Sequence, residues 1–284
     1  MQISGVVVLY NPDDTIKNNI MSYLSYLKKL YVIDNSDVYN SALVSELKAM
    51  NHIEYIDNQG NKGIANALNM AANLAIRSQM EWLLTMDQDS KFEDGAMNKM
   101  LSYIASPDGC NASIVAPLHV IPNKIYEENQ DDLPQPVLTV STSGNMLNLQ
   151  AYKNCGPFLE KLFIDAVDHE YCLRLNSMGY KVMRLPSVRL LHNLGELKME
   201  VVFGIKTTVT HHNYIRRYYI TRNRLFVSQL YRRKYPKWYR RQTISLWRDL
   251  IKIVFAERDK LRKLKAVYRG VLDCYKRSFG KYIE

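Results

Sequence analysis

The feature that most constrains the fold is a regular alternation of short apolar runs with helical patterns over the first 120 residues. Four runs have the length and composition of buried strands, at residues 3–9, 31–33, 53–56 and 82–86. Apolar side chains with helical spacing lie between these runs, over residues 14–28, 41–50 and 64–76. Strands that alternate with helices predict an α/β fold with a mostly parallel, doubly wound central sheet flanked by helices.

Polar residues follow each of the four predicted strands. They are Tyr10-Asn11, Asp34-Asn35, residues 58–63 and residues 87–90. One such cluster is typical of an ordinary loop. Because ligands bind at the carboxyl ends of the strands in open α/β sheets, four clusters in succession predict one shared crevice.

Beyond residue 120 the pattern becomes looser and then helical. The expected elements are short strands within residues 120–160, one of them ending at residues 141–144, a helix over residues 166–178 and a hairpin or strand pair near residues 181–191. From residue 211 the chain has the pattern of basic amphipathic helices, interrupted at Pro236. We therefore expect two domains, residues 1–210 and residues 211–284.

The net charge of +10 is unevenly distributed along the chain. Residues 216–284 carry 21 basic and 5 acidic side chains, whereas residues 1–215 carry 17 basic and 23 acidic ones. A basic segment on an acidic body predicts contact with a polyanionic surface, either an anionic membrane or a nucleic acid. A solvated helical face is the alternative that charge alone leaves open.

Several classes of protein are not indicated by the sequence. No apolar run approaches the ~18 residues of a membrane-spanning helix, and the N-terminus lacks the pattern of a secretion signal. The four cysteines are far apart and show neither a disulfide framework nor the spacing of a zinc site. We therefore expect a reduced, cytoplasmic protein.

Two carboxylates follow the fourth predicted strand, in Asp87-Gln88-Asp89. Mg²⁺ and Mn²⁺ favour carboxylate and phosphate oxygens, so this spacing predicts a metal that holds a nucleoside diphosphate. A turn capped by an aspartate is the structural alternative. Asp34 also lies at a strand end, where it can accept a hydrogen bond from a base or ribose, or begin a helix.

The loop from Gly60 to Gly63 precedes the third predicted helix, whose free N–H groups favour phosphate. This loop matches neither the Walker A nor the G-x-G-x-x-G motif, so a standard P-loop or dinucleotide site is not supported.

A second acidic group, at residues 165–170, lies where a helix is expected to begin. Asp168 there would be stabilised as an anion, which suits a general base, although charge complementarity to the helix is the simpler explanation. His192 follows a strand-like run and can complete a metal site with Asp89. His211 and His212 are further candidates for that position.

Seven segments occur in an order similar to that of a known family. They are Val8-Leu9-Tyr10-Asn11-Pro12, Ile33-Asp34-Asn35-Ser36, residues 58–69, Met86-Asp87-Gln88-Asp89-Ser90, residues 163–174, His192-Asn193-Leu194-Gly195 and Tyr218-Tyr219-x-x-Arg222-Asn223. Together they resemble the family 2 inverting glycosyltransferases of the GT-A fold, particularly the bacterial rhamnosyltransferase branch. The resemblance covers nearly the whole chain, and seven ordered segments are more specific than any one of them.

The resemblance implies that a nucleotide-diphospho-sugar donor is bound by Tyr10, Asp34, Asn58, Lys62, Asp87, Gln88 and Arg222. Asp34 would contact the base or ribose, and Arg222 would stabilise the departing diphosphate. The first domain, residues 1–210, would then be the GT-A catalytic domain.

The resemblance also implies a catalytic base and a metal site. Asp168 matches the position of the base, with Asp165 and Glu170 as the alternatives. Asp89 would hold Mg²⁺ or Mn²⁺, and His192 would approach the metal or the diphosphate.

The implied activity is a metal-dependent transfer of a sugar with inversion. The base removes the proton of an acceptor hydroxyl, which displaces the diphosphate in one step. The resemblance indicates dTDP-rhamnose as the first donor to consider, with UDP-galactofuranose and UDP-hexoses behind it. The acceptor would be a saccharide or a polyprenyl-linked saccharide in cell-surface polysaccharide synthesis.

The basic C-terminal region interleaves cations with aromatic residues over residues 231–241, and an apolar face follows over residues 244–255. Such a helix can lie in the interface of an anionic membrane, which predicts a peripheral protein on the inner face of the cell membrane. Alternatively, the helices pack on the first domain or on a second subunit, and the latter would make the protein an oligomer.

Two other classes of function compete with a transferase. A basic and aromatic segment also suits a nucleic-acid-binding protein, but that function leaves the acidic crevice unexplained, so no nucleic-acid partner is expected. A sugar-nucleotide hydrolase or a nucleotidyltransferase would use the same crevice without glycosyl transfer.

Overall fold

The computed structural model describes residues 1–120, 133–192, 197–202, 205–210 and 212–283, with the backbone alone described within residues 192–210. The chain divides into two units, residues 1–159 with 171–193, and residues 160–170 with 194–284. This division groups residues 160–170 with the C-terminal helices, whereas the sequence predicted one boundary, at residue 210.

The first unit is built on a nine-stranded sheet. Its strands are β1 (Ile3–Leu9), β2 (Lys29–Asp34), β3 (Ile53–Asp57), β4 (Trp82–Asp87), β5 (Ser90–Phe92), β6 (Ala112–Val120), β7 (Gln135–Pro136), β8 (Asn145–Asn148) and β9 (Lys181–His192). Their order is β3-β2-β1-β4-β8-β6-β9-β5, with β7 paired to β9. All four strands predicted near the N-terminus are present, and the α/β prediction is confirmed.

Parallel pairing is confined to part of this sheet. Strands β3, β2, β1 and β4 run parallel to one another, and β6 runs parallel to β9. Strand β8 is antiparallel to β4 and β6, and both β5 and β7 are antiparallel to β9. The sheet is therefore mixed, and its parallel half brings four carboxyl ends to one edge.

Helices cover the sheet of the first unit. They are α1 (Thr15–Met21), α2 (Ser41–Ala49), α3 (Ile64–Arg77), α4 (Ala96–Ile104) and α5 (Leu149–Cys155), with a 3₁₀ turn at Leu24–Tyr26, while α6 (Val167–Ser177) includes residues of both units. The apolar runs of β1 and β2 are buried on both faces, as parallel strands covered by helices require. Val6, Val7, Val32 and Ile33 are fully buried.

Three predicted elements differ from the structure. The helix predicted over residues 14–28 ends at Met21, where the Ser22 hydroxyl donates to the Asn19 carbonyl and accepts from the Phe92 N–H, and so competes with the helical pattern. Residues 141–144 precede β8 instead of ending a strand. The predicted hairpin near residues 181–191 is one strand, β9, because its partners are β5, β6 and β7.

The second unit contains the hairpin β10 (Leu197–Val202) and β11 (Ile205–Thr210), a 3₁₀ turn at Glu160–Leu162, and the helices α7 (Tyr214–Tyr231), α8 (Pro236–Phe255) and α9 (Lys260–Lys276). Helix α8 begins at Pro236, which lacks the N–H group that a first helical residue leaves unpaired. Helix α7 packs closely on α9 at Gly270, where a Cβ atom would lie 2.8 Å from the Tyr218 carbonyl oxygen. Among the described helices, none combines the length and apolar composition needed to cross a bilayer.

Candidate functional site

The carboxyl ends of β3, β2, β1 and β4 lie side by side in the first unit. The strand register pairs Leu9 with Asp34, Val8 with Asp87, and Asp34 with Asp57. The polar clusters that follow these strands therefore meet at one edge of the sheet, as their positions in the sequence predicted.

Gln88 joins the loops that follow β1 and β4. Its Oε1 accepts from the backbone N–H of Tyr10 at 2.8 Å, and its Nε2 donates to the Tyr10 carbonyl at 3.2 Å. Asn19 of α1 donates to the Gln88 carbonyl at 2.8 Å. The side-chain amide of Gln88 is thus committed to the Tyr10 backbone, and it orders the loop that carries Asp87 and Asp89.

Asp34 ends β2 and is almost fully buried. Its Oδ1 accepts from the Ser36 N–H at 2.8 Å, and its Oδ2 accepts from the Tyr55 hydroxyl at 2.7 Å. Burial, and then the bond to Asp34, raise the pKa of Tyr55 above its ordinary value, so the phenol keeps the proton that it donates. The Ser36 hydroxyl accepts from the Asn11 N–H at 2.7 Å and so connects this loop to the one after β1.

Asn58 follows β3 and is buried within a network of amides. Its Nδ2 donates to Oδ1 of Asn35 at 2.7 Å and to Oδ1 of Asn66 at 3.2 Å. Among the described residues, the Asn58 Oδ1 has no hydrogen-bond partner. Because an unpaired buried acceptor costs free energy, this oxygen is suited to accept from an N–H or O–H group of a ligand.

The loop from residue 58 to residue 63 leads into α3. Gly63 has a φ of 88° and precedes the first helical residue, and its N–H donates to Oδ1 of Asn61 at 2.9 Å. Lys62 is exposed beside this helix N-terminus. The Tyr39 hydroxyl does most to hold the pKa of Asp57 below its ordinary value, and the charge of Lys62 contributes.

Asp87 is held by Ser143, a residue that the sequence analysis did not select. The Asp87 N–H donates to the Ser143 Oγ at 3.0 Å, and Ser143 is fully buried. The His119 Nε2 lies 2.8 Å from the Ser143 carbonyl oxygen. The next residue, Gly144, has a φ of 81°, and a Cβ there would lie 2.6 Å from the Pro117 ring. A glycine beside small polar residues is typical of a tight turn, and this is the signal by which Ser143 could have been found.

The predicted metal site is described in part. Asp89 is exposed, and the register of β5 with β9 pairs Ser90 with His192, which places Asp89 and His192 at neighbouring positions. The side chain of His192 lies outside the described residues, as does all of His211. Within the part of the chain that is described, no group of three or more His, Cys, Asp and Glu residues forms a metal site.

The three acidic residues near the start of α6 have different surroundings. Asp165 forms an ion pair with Arg216 at 2.9 Å, and its burial raises the pKa of the carboxyl group, which Arg216 opposes. Glu170 is buried and accepts from the Tyr231 hydroxyl at 3.0 Å. Asp168 is half-buried, and its Oδ1 accepts from the backbone N–H of the next residue at 2.7 Å. Asp168 thus differs from the other two in that its described bond is to a neighbouring backbone N–H and not to another side chain, and the choice of the base among the three stays a prediction.

Arg222 does not have the surroundings of a diphosphate-binding residue. It is only 1% exposed, and its guanidinium group donates to Oδ1 of Asn223, the Tyr218 hydroxyl and the carbonyls of Leu162 and Gly280, at 2.9–3.3 Å. These acceptors use the N–H groups that a diphosphate would need. The described bonds of Arg222 thus lie within the second unit, and the role at the diphosphate that the resemblance implied stays a prediction.

Comparisons with known proteins identify the family of the chain. The family model described as "Glycosyl transferase family 2" matches residues 4–151, which is more than half of the chain. The dTDP-rhamnosyl transferase RfbF of Shigella flexneri is 28% identical over 239 residues, which cover 78% of each protein.

Solved structures are similar at lower identity. The S. aureus TarS 1–349 complex with UDP-GlcNAc has a TM-score of 0.57 at 13% identity, covering 98% of this chain and 82% of that one. The structure of GalNAc-T7 with UDP, GalNAc and Mn²⁺ has a TM-score of 0.57 at 14% identity over 68% of this chain, and the match spans 44% of the GalNAc-T7 chain. At these identities the similarity shows the fold alone.

Proposed function

Because the chain belongs to glycosyl transferase family 2 and has the GT-A fold, we propose that it transfers rhamnose from dTDP-rhamnose, with inversion, to a saccharide hydroxyl. The acceptor would be a saccharide or a lipid-linked saccharide. The observation that carries the proposal is the hydrogen-bonded junction of four strand-end loops around Asp34, Asp87 and Asp89. The similarity to a dTDP-rhamnosyl transferase supports the choice of donor.

The donor's nucleotide would lie along the ends of β1, β2 and β3. Asp34 is oriented by two hydrogen bonds and would accept from the base or the ribose. The exposed ring of Tyr10 would pack on the nucleotide, and the Asn58 Oδ1 would accept from it. Lys62, beside the N-terminus of α3, would attract the diphosphate.

The residues that follow β4 fit a divalent metal. Mg²⁺ is bound through one or two carboxylates together with substrate phosphates, and Asp87 and Asp89 provide two carboxylates on one ordered loop. When bound, Mg²⁺ or Mn²⁺ would offset the negative charge that develops on the departing diphosphate. His192, at the neighbouring strand position, is a further candidate ligand.

Asp168 would be the general base. Its carboxylate would accept the proton of the acceptor hydroxyl while the oxygen attacks the anomeric carbon from the face opposite the diphosphate. A single displacement of this kind inverts the configuration. Asp165 and Glu170 are less suited to this role because Arg216 and Tyr231 already occupy their carboxylates.

The variant Asp168→Asn tests the assignment of the base. We expect it to bind dTDP-rhamnose with the affinity of the unaltered protein and to lose at least 100-fold in turnover, within the usual range of about 10²–10⁴ for general-base catalysis. Asp14→Asn is the matched control, since Asp14 is also an acid at a helix N-terminus and is more exposed than Asp168. Turnover of Asp168→Asn equal to that of the control would refute the assignment.

A donor panel tests the substrate. A ligand that binds only the folded protein raises its melting temperature, so dTDP-rhamnose with Mg²⁺ or Mn²⁺ should raise it more than UDP-galactofuranose or UDP-hexoses do. Analysis of the products should then find a glycoside of inverted configuration that forms only when acceptor is present. Release of free sugar without acceptor would indicate a hydrolase, and formation of dTTP and rhamnose 1-phosphate from dTDP-rhamnose and added pyrophosphate would indicate a nucleotidyltransferase.

The proposal places the protein on an anionic membrane through α8. Five exposed apolar side chains lie on one face of this helix, opposite the buried Ile253; they are Ile244, Trp247, Ile251, Val254 and Phe255. Arg241 and Arg248, both exposed and seven residues apart, lie along the edge of this apolar stripe. An apolar stripe flanked by cations fits the interface of an anionic bilayer.

Vesicle flotation tests the membrane proposal. The protein should float with vesicles containing anionic phospholipid, should float less with neutral vesicles, and should be released by salt. Trp247→Glu should abolish flotation, whereas Met21→Glu, at an equally exposed apolar residue of α1, should not. If Trp247→Glu instead converts a dimer into a monomer, a second copy of the chain covers the stripe and the membrane proposal is wrong.

A further inference from the structure

The backbone directly before Asp168 is strained. Phe163, Asp165 and Ala166 have φ angles of 65°, 63° and 61°. Left-handed conformations are uncommon for residues with a side chain and persist only where the surrounding structure holds them. Because α6 begins immediately after Ala166 and Asp168 is its second residue, this segment determines where the helix begins.

Asn223 of α7 bonds to the backbone of this segment. Its Nδ2 donates to the carbonyls of Leu162 at 2.7 Å, Ile164 at 2.6 Å and Asp165 at 3.1 Å. Asn223 is fully buried, so these bonds are shielded from water. One side chain thus fixes three of the four residues from 162 to 165.

Three neighbouring side chains of α7 act on the same segment. Arg222 donates to the Leu162 carbonyl at 3.3 Å, the Tyr219 ring stacks on Phe163 with 5.3 Å between centroids, and Arg216 forms the ion pair with Asp165. We call Arg216, Tyr219, Arg222 and Asn223 the α7 clamp. Residues 216, 219 and 223 lie on one face of the helix, as side chains spaced by three and four residues do.

We infer that the α7 clamp, and Asn223 in particular, is a positioning device that places Asp168 for proton transfer. The inference rests on the proposed function, in which Asp168 is the base. Asn223 acts through the backbone and need not touch substrate. Since a displacement of about 1 Å at a reacting group can cost 100-fold in rate, a loosened segment should lower turnover without changing how the donor binds.

Two variants distinguish the effect of the hydrogen-bond donors of Asn223 from the effect of its side-chain shape. Asn223→Asp keeps the shape and the acceptor for Arg222 but removes the N–H groups, and Asn223→Ala removes both without adding a charge. Thr221→Val is the matched control, because Thr221 is a buried polar residue of the same helix and its hydroxyl donates within that helix, to the Arg217 carbonyl. The melting temperature of each variant is measured, and activity is assayed well below it so that the protein is folded.

We expect both Asn223 variants to lose about 10- to 100-fold in kcat, with the KM for donor within twofold of the unaltered protein. The pH at which kcat falls to half should shift in both, which a smaller folded fraction would not cause. Amide hydrogen exchange in residues 162–168 should become faster in both and remain unchanged in Thr221→Val.

Unchanged kcat in both Asn223 variants would overturn the inference, and so would unchanged exchange in residues 162–168. Equal loss of activity in Thr221→Val would also overturn it, because the effect would then belong to helix stability. If the unaltered protein transfers no sugar from any donor, the proposed function fails. The exchange measurement would still decide whether Asn223 holds the segment.

Discussion

Ser143→Ala tests whether the buried turn before β8 supports the acidic loop after β4. The substitution removes the Oγ atom of the fully buried Ser143, which accepts from the Asp87 N–H at 3.0 Å in a part-buried bond. A typical hydrogen bond contributes about 0.5–1.5 kcal/mol, so the free energy of unfolding should fall by about that amount. The same change removes a hydrogen bond that holds the backbone of Asp87, and it should lower the affinity of the loop for a metal ion.

The effect on the metal has an expected size. Loss of a hydrogen-bond partner behind a metal ligand commonly lowers metal affinity by about 10- to 100-fold. Calorimetric titration of a nucleoside diphosphate at several Mn²⁺ concentrations measures this, because the Mn²⁺ needed for half-maximal binding should rise by that factor. Melting curves of the same samples give the loss of stability.

Ser113→Ala is the control for this experiment. Ser113 is as buried as Ser143, lies on β6 of the same sheet, and donates to the Lys181 carbonyl at 2.8 Å. Its removal should cost similar stability and leave the Mn²⁺ dependence unchanged. Equal Mn²⁺ dependence in the two variants would refute the argument that Ser143 supports a metal-binding loop.

Two further predictions concern the second unit. Gly270→Ala should lower the free energy of unfolding by about 1–3 kcal/mol, because its Cβ would lie 2.8 Å from the Tyr218 carbonyl, and an unchanged melting temperature would contradict this. Burial, followed by the charges of Arg216 and Arg217, lowers the pKa of His212 to about 4. The unfolded chain therefore binds more protons than the folded one between pH ~4 and ~6.5, stability should rise with pH across that window, and His212→Gln should reduce the slope in urea titrations.

The parallel half of the sheet could be predicted from the sequence because each of its strands is indicated by a pattern of neighbouring residues. Each apolar run of β1 to β4 is bounded by polar residues, and helical spacing fills the intervals. The order of parallel strands then brings Asp34 and Asp87 to one edge. No long-range contact had to be known for this part of the candidate site.

The sequence could not predict the residues that act through distant contacts. Ser143 bonds to Asp87 across 56 positions, and although the adjacent glycine indicates a turn, nothing in the sequence indicates the contact with Asp87. The long strand β9 was interpreted as a hairpin because strand periodicity carries no information about partners. Its pairing with β5, β6 and β7 depends on residues far away in the chain.

Arg222 shows a different limit of prediction from sequence. An arginine in a shared motif can bind an anionic ligand or bond to other groups of the protein, and the motif alone does not distinguish these two roles. The burial of Arg222 against Tyr218, Tyr219 and Phe279, with ring centroids 5.1–5.3 Å from the guanidinium carbon, is a property of the folded second unit and not of the motif. The motif at residues 218–223 and the acidic motif at residues 163–168 are therefore in direct contact. The acidic motif contains the strained backbone, and the motif at residues 218–223 contains side chains that bond to it.

This coupling also accounts for the energetics of the segment before Asp168. Left-handed residues with side chains cost about 1–3 kcal/mol each, and three of them lie within four positions. Asn223 and Arg222 supply N–H donors to the carbonyls of Leu162 and Ile164, and each such bond contributes about 0.5–1.5 kcal/mol. The free energy that the left-handed residues cost and the free energy that the hydrogen bonds contribute are of the same order. The segment therefore depends on α7 for its conformation. A substitution in α7 can therefore alter Asp168 from more than 50 positions away without contacting substrate.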